Sequence, residues 1–325
     1  MLYPFKLDLV RSRVLRIEMD KAAFRAASFL DERILSPATK GGWIALADLE
    51  AATASARHVQ PLHFIFHTGH VGSTLVSRLL DETGCVQPLR EPLPLRTLAA
   101  VQDALADASP LLDHARFEAL VALFVRLWRG AATGTDSVIV KATSSAARIA
   151  PALLGSAADA RAIYLNLRAE PYLATLLAGE NSPIDLRGHA PERLRRLAAQ
   201  LATPLPPIEA LSLGELAALS WLAETTTQRA VLARHPGRVL PVDFEAFLAD
   251  VAGHLRAILA HFGLPADAAT IAVMLRSPVL SRYSKAPEHP YDPALRAAVL
   301  DDSRRRHGAQ ILLGLRLLER LGIAV

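Results

Sequence analysis

Apolar residues in this chain fall into two rhythms. Four short runs are apolar at nearly every position: residues 62–66 (LHFIF), 137–141 (SVIVK), 161–167 (RAIYLNL) and 238–242 (RVLPV). Such runs predict strands buried on both faces of a parallel sheet. A fifth strand is expected over 85–89 and an edge strand over 14–17, with a loop around 37–42. Between the runs the period changes to that of a helix: Leu120, Leu123, Phe124 and Leu127 share one face of 117–128, and 254–262 closes on Gly263. Strands alternating with helices predict an α/β fold, a doubly wound and mostly parallel sheet flanked by helices. Residues 1–60 read as an elaboration packed on that core, and 61–325 as the α/β domain, with a helical insert at about 172–233. Within the insert, the Arg- and Pro-rich stretch 183–207 interrupts the helical pattern before it resumes over 213–233. That interruption reads as a surface loop, with a lid or substrate-binding insertion as the alternative.

Composition narrows the function classes. The 325 residues include 36 Lys and Arg against 32 Asp and Glu, a net charge of +4, and only five of the cations are lysine. An Arg-based excess, with its planar guanidinium forks, favours oxyanions such as phosphate or sulfate, but four charges are too few to coat a nucleic acid, so no nucleic-acid partner is expected. A single cysteine, Cys85, excludes a disulfide framework and a thiolate zinc cluster. His254 and His261 are too far apart for an i, i+4 metal pair, and no metal is expected. Neither a signal peptide nor a membrane span is expected, and a cytoplasmic location is the default. Oligomeric state is not legible.

The chemistry concentrates after the first of the four apolar runs. His67-Thr68-Gly69-His70-Val71-Gly72-Ser73-Thr74 leads into a helix with Leu75, Val76, Leu79 and Leu80 inward, stopped by Gly84. Strand, glycine-containing turn and Ser-Thr at a helix start point backbone N–H groups of residues 69–74 and two hydroxyls at one anion, with the helix dipole assisting. The plainer alternative is a βα turn in which Ser73 and Thr74 only cap the helix. No lysine precedes the Ser-Thr pair, which argues against a Walker loop and its Mg²⁺-linked nucleotide chemistry.

In order and spacing, most of residues 62–325 resembles the sulfotransferase superfamily, whose P-loop-like fold holds 3′-phosphoadenosine-5′-phosphosulfate. FIFHTGHVGSTLVSRLLDETG is similar to its 5′-phosphosulfate loop and first helix, and REP at 90–92 to an acidic segment after the second strand. SVIVKAT resembles its lysine-bearing strand and AIYLNLRAEP its strand ending in an Arg-x-Pro turn. Trp221 followed by RVLPVDFEAFLADVAGHLRAILAHFGLP resembles a late strand, acidic loop and helix, and RYSKAP a C-terminal basic loop. Two departures stand out: the loop cation of the family falls at His70, and the turn after Arg168 has one extra residue before Pro171.

The resemblance implies transfer of a sulfuryl group from that donor to a hydroxyl or amine of a small-molecule or carbohydrate acceptor, with 3′,5′-ADP as product. Gly69, His70, Val71, Gly72, Ser73 and Thr74 would hold the phosphosulfate. Arg168 and Thr175 would meet the 3′-phosphate, and Arg282 and Lys285 would close over the nucleotide. Glu91 would be the base, unless it pairs with Arg90 or Arg96 and only organises its loop. Lys141, at a strand end where open α/β sheets place ligands, and His70 would stabilise developing charge; beside an anion, His70 is expected as imidazolium. For Arg168 the plain alternative is an ion pair with Glu170. Two other functions stay open: a catalytically degraded nucleotide-binding or regulatory protein of the same fold, and an ATP-dependent small-molecule kinase.

Overall fold

The computed structural model describes residues 1–54, 60–132, 134–201, 203–286 and 288–324. Its strands are β1 (Leu2–Asp8), β2 (Arg13–Glu18), β3 (Gly41–Ala45), β4 (Leu62–His67), β5 (Val86–Arg90), β6 (Ser137–Lys141), β7 (Ala162–Asn166) and β8 (Val239–Asp243). The last five form a parallel sheet in the order β5-β6-β4-β7-β8. Period-two alternation divides each central strand between two cores. Leu62, Phe64 and Phe66 of β4, Val138 and Val140 of β6 and Tyr164 of β7 point into one core. Ile65, Ile139, Ile163 and Leu165 point into the other. Both faces are covered by helices, which is why these strands are apolar throughout rather than alternating.

The first core continues into the N-terminal sheet. Tyr3, Phe5 and Val14 pack in the same cluster as Phe64 and Phe124, the latter on the helix His114–Arg129. This sheet is antiparallel in the order β1-β2-β3, so the segment expected as an edge strand is instead its centre. The strand β3 occupies part of the expected loop. A Cβ at Gly41 would lie 2.2 Å from the Arg16 carbonyl oxygen, so glycine permits this close pairing.

The proline-rich stretch is mostly helix. Ser182–Ala198 forms 17 residues of helix with Pro183 in its first turn, where no N–H is needed, and Pro191 inside it. It lies against the helix Leu213–Arg234 and buries Leu186, Ala190 and Leu197, a stripe too sparse to stand out in the sequence. Arg196 anchors the contact, donating to Glu224 (3.2 Å) and Thr227 (2.7 Å). Ala202 of this stretch and Pro287 of the RYSKAP segment lie outside the described residues. Among the described residues, no helix is long and apolar enough to cross a membrane.

His63 gives the fold a pH dependence. Its Nδ1 accepts the Arg161 N–H (3.2 Å) and its ring stacks on Phe262 at 5.0 Å. Burial lowers its pKa to about 4. The unfolded chain therefore binds the extra proton between about pH 6.5 and 4, and stability falls as pH falls through that window, by about 3 kcal/mol in all. Urea unfolding from pH 7 to 4 should show this loss added to those of His67 and His70, and His63→Gln should make the curve shallower by the His63 share; an equally steep curve in the variant would assign that share elsewhere.

Candidate anion-binding and transfer site

From β4 the chain runs through the helix Ser73–Asp81 to the sheet edge at β5, returns to β6, then crosses β4 to reach β7. From β7 it goes on outward to β8, so connections leave the carboxyl ends of the neighbours β4 and β7 in opposite directions, the topology that opens a crevice there. The glycine-bearing turn occupies that point. Gly69, His70 and Gly72 all have positive φ (103°, 54° and 69°). Gly72 is the N-cap of Ser73–Asp81 and provides no side-chain cap. The Thr68 and Thr74 hydroxyls are fully buried without a hydrogen-bond partner. Buried polar groups are ordinarily satisfied. Uncapped helix N–H groups, an αL-rich turn and two orphaned hydroxyls therefore fit an anion, the 5′ end of a phosphosulfate included.

His67 holds this turn to the sheet. Its Nε2 donates to the Ala142 carbonyl (2.9 Å) while its Nδ1 accepts the Gly69 N–H (3.1 Å), which fixes one neutral tautomer. Burial, and then the Lys141 charge, push its pKa well below the usual histidine value. Its neighbour behaves unexpectedly. His70 sits at the solvent-exposed tip of the turn, yet desolvation by surrounding protein and then Lys285 lower its pKa to about 4. The imidazolium expected beside a bound anion has to overcome this shift.

Glu91 and Lys141 meet at the ends of β5 and β6. Lys141 Nζ donates to Glu91 Oε1 at 2.5 Å, and the Glu91 N–H donates to the Lys141 carbonyl at 2.7 Å. The Lys141 side chain is 1% exposed and that of Glu91 11%. Burial lowers the Lys141 pKa, and Glu91 opposes that shift. Glu91 has φ 56°, a strained value for a non-glycine residue of the kind that clusters at functional sites. Arg96 reaches the second oxygen, Oε2, at 3.6 Å and Asp31 at 3.8 Å. Arg90 does not pair with Glu91. It is wholly buried, donating to Asp81 (2.9 Å), Ser77 and the carbonyls of Phe24 and Ala27, and so ties the N-terminal segment to the α/β core.

The C-terminal basic segment reaches the same crevice. Arg78, on the helix after the turn, donates to the Ser284 carbonyl and to Ser28 Oγ, both at 2.8 Å. Next to that clamp, Lys285 has its pKa lowered by burial and then by Lys141. Arg282 pairs through its backbone with Pro290.

The residues expected at the 3′-phosphate are less gathered. Arg168 caps Ala169–Leu177, is 78% exposed and pairs with Glu245 at 3.3 Å, not with Glu170. Glu170 pairs with Arg304 (2.9 Å). Thr175 donates to the Pro171 carbonyl (2.7 Å), so its hydroxyl proton is used within its own helix. Tyr172 and Ser144, not singled out in the sequence, flank Gly69: a Cβ there would lie 3.4 Å from each hydroxyl oxygen. No group of three metal-ligating side chains occurs among the described residues.

No family model and no curated protein matches this chain. Among solved structures it is similar to a sulfotransferase domain from the curacin biosynthetic pathway, at 14% identity over 83% of this chain and 100% of that one, with a TM-score of 0.45. A sulfotransferase from Alicyclobacillus acidocaldarius is similar at 14% identity over 83% and 98% of the two chains, with a TM-score of 0.42. A retinol dehydratase in complex with androsterone and inactive cofactor PAP is similar at 11% identity over 94% and 92%, with a TM-score of 0.36. The first two of these structures are sulfotransferases, the family that the sequence motifs resemble.

Proposed function

We propose that this chain transfers a sulfuryl group from 3′-phosphoadenosine-5′-phosphosulfate to a hydroxyl or amine of a small-molecule or carbohydrate acceptor. The observation that carries the reading is the juxtaposition at one crevice of an uncapped helix N-terminus with orphaned hydroxyls and a buried Lys–Glu pair on adjacent strand ends. The donor supplies an activated group: the acceptor oxygen bonds to sulfur as the sulfur–oxygen bond to the 5′-phosphate breaks, its electron pair leaving on 3′,5′-ADP.

The chain's residues have three tasks. Backbone N–H groups of residues 70–74 and the hydroxyls of Thr68, Ser73 and Thr74 hold the 5′ anion by fixed dipoles, which need no reorganisation as charge moves, while the Gly69 N–H stays on His67. Lys141 and Lys285 add positive potential beside it. Glu91 takes the acceptor proton: Lys141 occupies part of Oε1, and a carboxylate offers about four acceptor sites, so room is left for an acceptor hydroxyl. His70 donates a ring N–H to the leaving phosphate oxygens. Arg168 serves the 3′-phosphate only by giving up Glu245 for it.

Glu91→Gln keeps the side chain's shape and removes the base. Turnover should fall by about 10²-fold, the low end for a lost general base, with 3′,5′-ADP affinity retained. Unchanged turnover, read as 3′,5′-ADP released in the presence of an alcohol acceptor, would remove Glu91 from proton transfer.

A further inference from the structure

An open cavity of about 700 Å³ lies between the N-terminal sheet and the segment that follows it. This volume is in the range of small-molecule sites. Its floor is apolar, from Ile17, Met19, Ala27 and Phe29, and its wall carries three cations, Arg33, Lys40 and Lys285, against one carboxylate, Glu18. The cavity adjoins the transfer site. Phe29 holds its ring 5.9 Å from Lys141 Nζ, and Lys285 belongs both to the cavity wall and to the field around Lys141 and His70. Arg78 fixes this junction by bonding Ser28 and Ser284 at once. The charges are unevenly committed. Arg33 in the same wall is taken up by Asp31 at 2.5 Å, whereas neither Lys40 nor Lys285 forms a salt bridge among the described residues.

We propose that this cavity is the acceptor subsite, and that it takes an alcohol with an apolar body and an anionic group at the end remote from the reacting hydroxyl. The inference rests on the sulfuryl-transfer reading. The apolar body lies on Met19, Ala27 and Phe29, and the hydroxyl enters past Phe29 toward Glu91. The anion stays by Lys40, which is exposed in the cavity wall. The N-terminal elaboration would then choose the acceptor, while the α/β domain holds the donor.

The test is a calorimetric titration with 10-hydroxydecanoate and, separately, with 3′,5′-ADP, on the full chain and on Ala26→Trp and Ala38→Trp. Both alanines are exposed and line the cavity, so indole can fill it without entering a core. Each variant should bind 10-hydroxydecanoate at least about tenfold more weakly, the effect of excluding two or more methylenes, and 3′,5′-ADP as tightly as the parent. Lys40→Glu should weaken 10-hydroxydecanoate but not 1-decanol. Retained 10-hydroxydecanoate binding in both tryptophan variants, or no binding by a parent chain that does bind 3′,5′-ADP, would overturn the subsite. Loss of 3′,5′-ADP binding by the parent, with cavity binding intact, would overturn the transfer reading and leave an apolar-anion site.

Discussion

Lys141→Met is expected to destabilise the fold by about 3–5 kcal/mol, the cost of stranding one member of a buried ion pair. The lysine is 1% exposed and its ammonium lies 2.5 Å from Glu91 Oε1. Methionine fills the volume but leaves the carboxylate, among the described residues, with Arg96 at 3.6 Å as its ion-pair partner. The strain of Glu91 at φ 56° sharpens the effect, because the lysine is what fixes that residue against the end of β6. Lys141→Met/Glu91→Gln should recover most of the lost stability and none of the turnover, since an uncharged pair needs no mutual compensation but supplies no base. Urea unfolding of the three proteins gives the comparison. Equal stability of parent and Lys141→Met would mean that the pair is hydrated and not the fixed element described here.

Gly72→Ala is the second large effect, and it combines two costs. A residue with a Cβ at φ 69° is disfavoured by about 1–2 kcal/mol. The added Cβ would lie 2.0 Å from Cε2 and 2.1 Å from Cζ of Phe244, a ring packed against Phe247 and beneath the Arg296 guanidinium. Overpacking adds about 1–3 kcal/mol. The turn should therefore shift, with a loss of about 2–5 kcal/mol of stability and a fall in 3′,5′-ADP affinity. Phe244→Ala in the same chain should relieve the overpacking and leave the backbone term. A Gly72→Ala protein with parental melting temperature and affinity would show that the turn tolerates rearrangement.

The α/β sheet was legible because β4, β6, β7 and β8 carry their signal locally, in short apolar runs between turns. The elements that escaped lack that signal. The strand β3 is mostly exposed and opens on Gly41-Gly42, and β1 pairs with β2 within a sheet that only the antiparallel register reveals. The helix Ser182–Ala198 was hidden by two prolines and a sparse apolar stripe, although Pro183 is in the position that a helix start favours.

The candidate site was legible where neighbours in sequence are neighbours in space, as in the turn 69–74. Partners far apart in sequence were not. Lys141 meets Glu91 across 50 residues, His67 meets Ala142 across 75, and Arg168 takes Glu245 across 77 in place of nearby Glu170. The strand-end position of His67 was the available clue to its role. For His70 the sequence supplied the residue but not its surroundings: burial lowers its pKa first, and Lys285, 215 positions away, adds to the shift.

Calorimetric titration with 3′,5′-ADP, set beside 5′-AMP and ATP plus Mg²⁺, tests the donor assignment most directly. The account predicts binding of 3′,5′-ADP with a Kd of micromolar order that weakens when the 3′-phosphate is removed. Binding of ATP plus Mg²⁺ alone would contradict it, as would a chain that binds none of the three.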